Sequence, residues 1–367
     1  MKRVAFITIH VGANFGSVLQ TIATSEVIKR IGAEPLCVNY TPERVTMKKF
    51  WSFGHANLIK KALLFFWKLY ALPNKLLNNR SYGGYLKKHC SLSSPIYIKD
   101  NFAEKCPKAD VYMTGSDQVW NIKHNEGLDT HYFFEGIVGK KVSFASSIGY
   151  LDIGEKNREE YKRFLSEYSA LSVREDSAVA LLHELGLNAE QLLDPIFMLD
   201  KEEWVDFVSK NKSIEEPYIL IYTPYNTVDK SVIFNHARFI AKKEGLKIVT
   251  FSWTYYKDKD ADKTIRFANP GDFLNLIMGA EYVITNSFHG TAFSINLNKK
   301  FWVFLPSGFS SRITSVLSKF GLAERLVEEY KVSDNWDYNK SIDYKAVNLV
   351  LKKERENSFA FLEKAIL

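Results

Sequence analysis

The sequence predicts an α/β protein built from two doubly wound parallel sheets. Three observations predict it. Short, almost unbroken apolar runs such as VAFITI and YVIT have the character of strands buried on both faces. Segments with apolar residues at helical spacing alternate with them. The alternation runs through the chain twice, interrupted by the polar, proline-containing stretch VSKNKSIEEPYI.

The first series has candidate strands at Val4–Ile9, Leu36–Tyr40, Val111–Gly115, Lys141–Ser146, Ala170–Val173 and Gln191–Leu193. The helix Ser17–Ile31 places Val18, Leu19, Ile22, Val27, Ile28 and Ile31 on one side and closes at Gly32. A second helix, Ser177–Leu185, also ends in glycine, Gly186. A short helix around Trp204–Val208 precedes the linker, placed near residues 200–216. The second series reads as strand Tyr218–Thr223, helix Ser231–Glu244, strand Lys247–Phe251, a short strand near Thr264–Phe267, helix Pro270–Met278, strand Tyr282–Thr285, helix Thr291–Asn296 and strand Phe301–Phe304. Ala346–Ile366 reads as a long helix. The expected domains are therefore 1–205, carrying a basic insertion at about 44–99, then 216–345, with 346–367 as a C-terminal helix. Ligands of such sheets bind beyond the strands' carboxyl ends, at the point where the strand order reverses. Two such domains facing one cleft place the loop after the first strand and the loop after Thr285 at equivalent positions.

The 367 residues are too many for one ordinary core, and 46% hydrophobic with 25% charged residues fits a globular chain. No apolar run approaches the ~20 residues of a membrane span. The N-terminus begins like a signal peptide, but Val4–Ile9 is only a short strand and no small-residue cleavage site follows, so a cytoplasmic protein is expected. Cys37, Cys90 and Cys106 fit neither a disulfide framework nor a zinc site, and no metal is expected. The net charge of +7 is unevenly spread, with eleven Lys/Arg and no Asp or Glu from Arg44 to Lys99. That leaves 7 − 11 = −4 for the rest of the chain. The middle of this segment reads as an amphipathic helix, with Leu58, Leu63, Phe66 and Leu69 near helical spacing and lysines at 60, 61 and 68. Two readings stay open: peripheral contact with an anionic membrane face, or a helix packed on its own domain. Nucleic acid is not expected, because no recognition motif accompanies the charge.

Five stretches carry chemistry. In HVGANFGSVLQ, Gly12 and Gly16 permit close backbone approach at a helix start, where an anion is favoured, and Asn14 and Gln20 offer hydrogen bonds. The loop lacks the glycine spacing of dinucleotide- and nucleoside-triphosphate-binding loops. In TGSDQVWN, Ser116 and Asp117 read either as helix caps or, for Asp117, as a general base, and Trp120 as a platform for a sugar ring. In LSVREDS, Arg174 is either a fork for a carboxylate or phosphate or one half of a surface ion pair with Glu175 or a neighbour. In YVITNSFHGTAFSI, Gly290 permits a sharp turn, and His289 stands at a helix start where it can donate a hydrogen bond or a proton. In SGFSSRI, Ser310, Ser311 and Arg312 read as a loop, with Arg312 a second anion clamp. Two arginines and a histidine among glycine loops suit a small, doubly anionic ligand.

The stretches NFGSVLQ, GSDQVWN, SVREDSA, LLDPIF and NSFHGTAFSI, in this order, resemble polysaccharide pyruvyl transferases. The SRI sequence at Arg312-Ile313 followed by Gly321-Leu322 adds to the likeness, which covers roughly Val4 to Arg325. The resemblance implies two Rossmann-like domains facing a cleft, as in the GT-B glycosyltransferases. It implies phosphoenolpyruvate as co-substrate with no other cofactor, and a saccharide acceptor, polyprenol-linked in one form. The product would be a pyruvate ketal in bacterial surface polysaccharide biosynthesis. In that reading Arg174, Arg312, Ser287 and Gly290 bind the donor, and His289 is acid or phosphate ligand. Asp117 takes a hydroxyl proton, while Asn14, Gly16, Gln20, Ser116 and Trp120 face the acceptor in the N-terminal domain. The chain departs from the family's arginine–leucine–histidine–glycine pattern, since Ser287 stands where an arginine is usual, and Arg312 is the expected substitute. The competing enzyme is a nucleotide-sugar glycosyltransferase with the same fold, and the non-enzymatic alternative is a sugar-binding scaffold.

Overall fold

The computed structural model describes the whole chain except residues 56, 151, 210–213, 226–227, 307–310 and 329–330. The chain divides into two compact units: Met1–Arg174 with Ala178–Pro195 and Phe359–Leu367, and Glu175–Ser177 with Ile196–Ser358. Ile196–Val208, which the sequence reading attached to the N-terminal domain and linker, thus belongs to the second unit. There Trp204 is fully buried, its indole donating to the Ile196 carbonyl at 3.1 Å and meeting Phe293 edge-on. Residues 210–213 of the expected linker lie outside the described residues.

The first unit contains β1 (Arg3–Ile7), α1 (Phe15–Arg30), β2 (Glu34–Cys37), α2 (Leu58–His89), β3 (Val111–Thr114), β4 (Lys140–Ser143), α3 (Glu155–Leu165) and β5 (Tyr168–Ala170). The strands are all parallel, in the order β2-β1-β3-β4-β5. The order reverses between β1 and β3, so the switch point lies above those two strands. Asn14, in extended conformation, opens α1 by accepting from the Ser17 backbone N–H, and Gly32 at φ +77° ends the turn that follows. α1 is buried almost all round because the sheet covers one side and α2 another, with Phe15 stacked on Tyr82 at 5.4 Å. α2 is a single helix of 32 residues, far longer than the amphipathic middle legible in the sequence. Pro73 and the Gly83-Gly84 pair hide its continuity, and tertiary packing of its second half against α1 overrides their weak propensity.

The second unit contains α4 (Lys201–Val205), β6 (Tyr218–Tyr222), α5 (Lys230–Glu244), β7 (Lys247–Ser252), β8 (Lys263–Arg266), α6 (Pro270–Gly279), β9 (Tyr282–Thr285), α7 (Phe288–Asn296), β10 (Lys300–Val303), α8 (Ser311–Lys319) and α9 (Tyr344–Ile366). Its strands are parallel in the order β8-β7-β6-β9-β10, with the switch point between β6 and β9. α6 starts at a reciprocal cap between Asn269 and Asp272, with Pro270 in its first turn. The C-terminal helix is not an element apart: Arg355 donates to the Phe197 and Leu199 carbonyls and to Asn296 Oδ1 in the second unit. Its last turns belong to the first unit, where Lys2 Nζ reaches the Ile366 and Leu367 carbonyls. Both units therefore have the doubly wound, Rossmann-like topology the sequence predicts. Among the described residues no helix is long and apolar enough to cross a membrane.

Candidate functional site

In the first unit the polar residues picked from the sequence converge on the switch point, but as one buried network. Asp117, just beyond β3, sits in left-handed backbone at φ +71°, a conformation that Asp tolerates and that concentrates at functional loops. Its Oδ2 accepts from Ser17 Oγ in the first turn of α1 at 2.7 Å, and its Oδ1 from the Gln118 N–H at 2.9 Å. The anion expected at the start of α1 is thus matched by the protein's own carboxylate. Arg174 follows the short strand Ser172–Val173, which pairs with Glu190–Gln191. Arg174 Nη1 donates to Asp194 Oδ2 at 2.6 Å, and Ser116 Oγ donates to the same oxygen at 2.8 Å. Arg174 Nη2 stands 4.0 Å from Asp117 Oδ1. Two carboxylates therefore share one guanidinium, all deep inside the unit. The ion pair expected on the surface with Glu175 or a neighbour is not a surface one: Arg174 pairs with Asp194 in the interior, and Asp194 is itself part of the quoted LLDPIF stretch.

Several expected acceptor contacts are corrected by this geometry. No helix starts at Ser116 or Asp117, so neither is a helix cap. Trp120 is in the core: its ring stacks on Phe133 at 5.6 Å and its Nε1 donates to the Tyr132 carbonyl. A sugar cannot reach its face. Gln20 Nε2 has Thr8 Oγ1, the Ile9 carbonyl and the Ser17 carbonyl within 3.2 Å to accept its two N–H groups, stitching α1 to the end of β1. Gly16 is buried within the helix, whereas Asn14 caps it through Oδ1 and stays half-buried, which leaves its assignment to the acceptor a proposal. Ser116 is bonded to Asp194 with no exposure.

One cavity of this unit, of about 600 Å³, is lined among others by His10, Asn39, Asn78, Asn79, Lys75 and Tyr97. It lies between the loop after β1 and α2. His10 is buried, with Nδ1 3.1 Å from the Thr8 carbonyl and Nε2 3.3 Å from Asn39 Oδ1. Burial holds its pKa below the usual histidine value, so the imidazole favours the neutral form. His10 stood inside the quoted loop, but only the fold brings Asn39 and α2 to it. A histidine with a depressed pKa stabilises the fold above its unfolded pKa, and that contribution is lost as pH falls through the folded value. The stability of the wild type relative to His10→Gln should therefore fall between pH 7 and pH 5 in urea titrations. A gap independent of pH would contradict this.

In the second unit β9 ends at Thr285, and Asn286 crosses the switch point by donating to the Tyr225 carbonyl beyond β6 at 2.7 Å. Ser287 caps α7 by accepting from the Gly290 N–H, while its own N–H donates to Thr285 Oγ1 at 3.0 Å. His289 is in the first turn of α7 and buried. Arg312 is not in a loop but in the first turn of α8; it is buried, with its guanidinium carbon 5.9 Å from the Phe288 ring centroid. Ser310 lies outside the described residues. The unit thus brings His289 and Arg312 to neighbouring helix starts around Phe288. Gly290 serves close packing: a Cβ there would lie 2.2 Å from Thr285 Oγ1 and 3.0 Å from Thr285 Cβ and Tyr222 Cδ1. Its φ is not in the left-handed region, so the sharp turn expected of it is not its role. Among the described residues no three His, Cys, Asp or Glu side chains are grouped to hold a metal ion.

Two doubly wound units, each gathering polar groups at its switch point, define a two-domain α/β protein of the kind that binds ligands beyond its strand ends. The chain belongs to the polysaccharide pyruvyl transferase family, whose model matches residues 14–308, and the family is one of pyruvyl transferase enzymes. No curated protein matches the sequence significantly. Similar solved structures include the UDP-GlcNAc 2-epimerase of Methanocaldococcus jannaschii, at 11% identity over 95% of this chain and 91% of that one, TM-score 0.49. The UDP-GlcNAc 2-epimerase of Neisseria meningitidis, bound to UDP-GlcNAc, matches at 7% identity over 100% and 94% of the two chains, TM-score 0.46. The glycosyltransferase SnogD of Streptomyces nogalater matches at 10% identity over 99% and 98%, TM-score 0.42.

Proposed function

We propose that this chain moves pyruvate from phosphoenolpyruvate onto two hydroxyls of one saccharide as a ketal, in bacterial surface polysaccharide synthesis. The observation that carries the reading is the family match across residues 14–308, which covers Asp117, Arg174, Asp194, Ser287, His289 and Gly290. In the reaction, the methylene carbon of phosphoenolpyruvate takes a proton and becomes the methyl group. One sugar oxygen bonds to C2, the C2–O bond to phosphate breaks, and the second hydroxyl oxygen closes the ketal. The two hydroxyl protons end on the methyl group and on inorganic phosphate.

His289 and Arg312 are assigned to the donor. Their placement at two helix starts supports this, since N-terminal N–H groups and a guanidinium both favour an anion. Ser287 and Gly290 contribute by shaping that helix start. Arg174 keeps its assignment as a ligand of the donor's anionic groups, with Asp194 holding its guanidinium. Asp117 is the assigned base, held by Ser17. The acceptor is assigned to the cavity lined by His10, Asn39, Asn78 and Asn79, whose amides and imidazole suit sugar hydroxyls.

The test is to incubate the protein with phosphoenolpyruvate and candidate saccharides, free and polyprenol-linked. A product heavier by pyruvate less water, with release of inorganic phosphate, is expected. Release of a nucleoside diphosphate from a nucleotide sugar would overturn the reading. His289→Asn should lower kcat by roughly 100-fold or more if it transfers a proton. A rise in KM for phosphoenolpyruvate with kcat unchanged would make it a phosphate ligand instead.

A further inference from the structure

The N-terminal half of α2 faces outward with the wrong side for water. Ile59, Leu63, Phe66, Tyr70 and Leu77 follow one another at four, three, four and seven residues, a single stripe along the helix. That stripe is exposed: 76% for Ile59, 67% for Leu63, 68% for Phe66 and 73% for Tyr70. Leu58 and Trp67 beside it are exposed as well. The opposite side carries the cations inward. Lys68 is buried, donates to the Ser52 carbonyl at 2.6 Å and lies 4.4 Å from the Phe53 ring centroid. Lys75 stands 5.1 Å from the Phe50 ring centroid. A helix packed on its own domain would show the reverse arrangement.

We propose that this half of α2 is a docking surface for an anionic lipid bilayer, lying in the headgroup plane with Ile59, Leu63, Phe66 and Tyr70 inserted. Charge decides the occupant. Arg44–Lys99 holds eleven Lys/Arg and no Asp or Glu; Lys60 and Arg80 are exposed at the flanks of the stripe, and Lys48 and Lys61 are exposed elsewhere in the same segment. Anionic headgroups answer both halves of this surface, with cations at the phosphates and apolar side chains beneath them. A second copy would set the same basic segment against itself, because a two-fold contact pairs identical patches. A nucleic acid would leave the apolar stripe in water. The helix is too polar overall to cross a membrane, so the surface lies on the bilayer. This inference rests on neither the reaction nor the acceptor assigned above.

The experiment uses the full chain and sedimentation with vesicles of phosphatidylglycerol and phosphatidylcholine, or of phosphatidylcholine alone. Binding to the anionic vesicles is expected, weakening as salt is raised, with a blue shift of tryptophan emission that Trp67→Phe reduces. Lys60→Glu with Lys61→Glu should weaken binding by roughly tenfold or more. Leu63→Asp with Phe66→Asp should abolish it. Both pairs are exposed, so thermal melts of the variants should match the wild type and show that folding is intact. No sedimentation with anionic vesicles, or equal sedimentation with phosphatidylcholine alone, overturns the proposal. So does a soluble dimer that Phe66→Asp converts to a monomer, since a second copy would then be the occupant.

Discussion

Gly290→Ala should destabilise the protein more than any other single methyl addition on α7. The new Cβ would sit 2.2 Å from Thr285 Oγ1 and 3.0 Å from Thr285 Cβ. Oγ1 cannot swing away without loss, because it donates to the Tyr222 carbonyl at 2.6 Å and accepts from the Ser287 N–H. Either the helix start backs off β9 or the cap at Ser287 breaks, and both move His289. Overpacking of a tight core costs about 1–3 kcal/mol, and a clash with atoms this firmly held belongs at or above the top of that range. Urea denaturation followed by circular dichroism measures it. Thr285→Ala alone should cost about 1–2 kcal/mol through its lost hydrogen bonds. The double variant should be less unstable than the sum, because Thr285→Ala removes the Oγ1 that the new Cβ at residue 290 would strike. Strict additivity would show that the glycine is not there for packing.

Arg174→Ala should cost about 3–5 kcal/mol, because it leaves the Asp194 carboxylate buried without its cation. Asp194→Ala should cost a similar amount for the converse reason. Arg174→Met with Asp194→Asn removes both charges of that pair and should recover part of the stability, the remainder being lost because Asp117 keeps its charge without the guanidinium 4.0 Å away. This pair of experiments separates two roles of the arginine. If Arg174 also binds the donor's anion, the double variant folds but turns over poorly, with KM for phosphoenolpyruvate raised well above the wild type. Should the double variant regain both stability and turnover, Arg174 is a scaffold residue only, and the donor must be held elsewhere.

Most strands and helices of both series were legible to within a few residues, but the helices Glu155–Leu165 and Ser311–Lys319 were not. Tyr282–Thr285 coincides with the observed β9, and Pro270–Met278 falls one residue short of α6. Periodicity of two kinds, with glycine and proline at the ends, carries that much information. The candidate sites were legible as stretches and less so as side chains. Trp120 and Gln20 look like ligand contacts in a linear reading because aromatic and amide groups beside a glycine loop suit a sugar. Burial decides otherwise, and burial depends on what the fold lays over them: Phe133 for the indole, the end of β1 for the amide. His10 escaped notice for the opposite reason, since its cavity wall comes from α2, dozens of residues away.

By itself the sequence determined the alternation of elements, the two doubly wound sheets, the family, and the stretch of basic charge with its apolar helix. These follow from local spacing and composition, which any segment carries with it. Tertiary structure alone decided who partners whom: Ser17 with Asp117, Ser116 with Asp194, Asn286 with the Tyr225 carbonyl. It also turned Lys68 inward and the apolar stripe of α2 outward. The physical reason is that a polar side chain takes its meaning from desolvation and from the group opposite it. Both are set by strand order and helix packing, across separations of up to 100 residues that no local pattern spans.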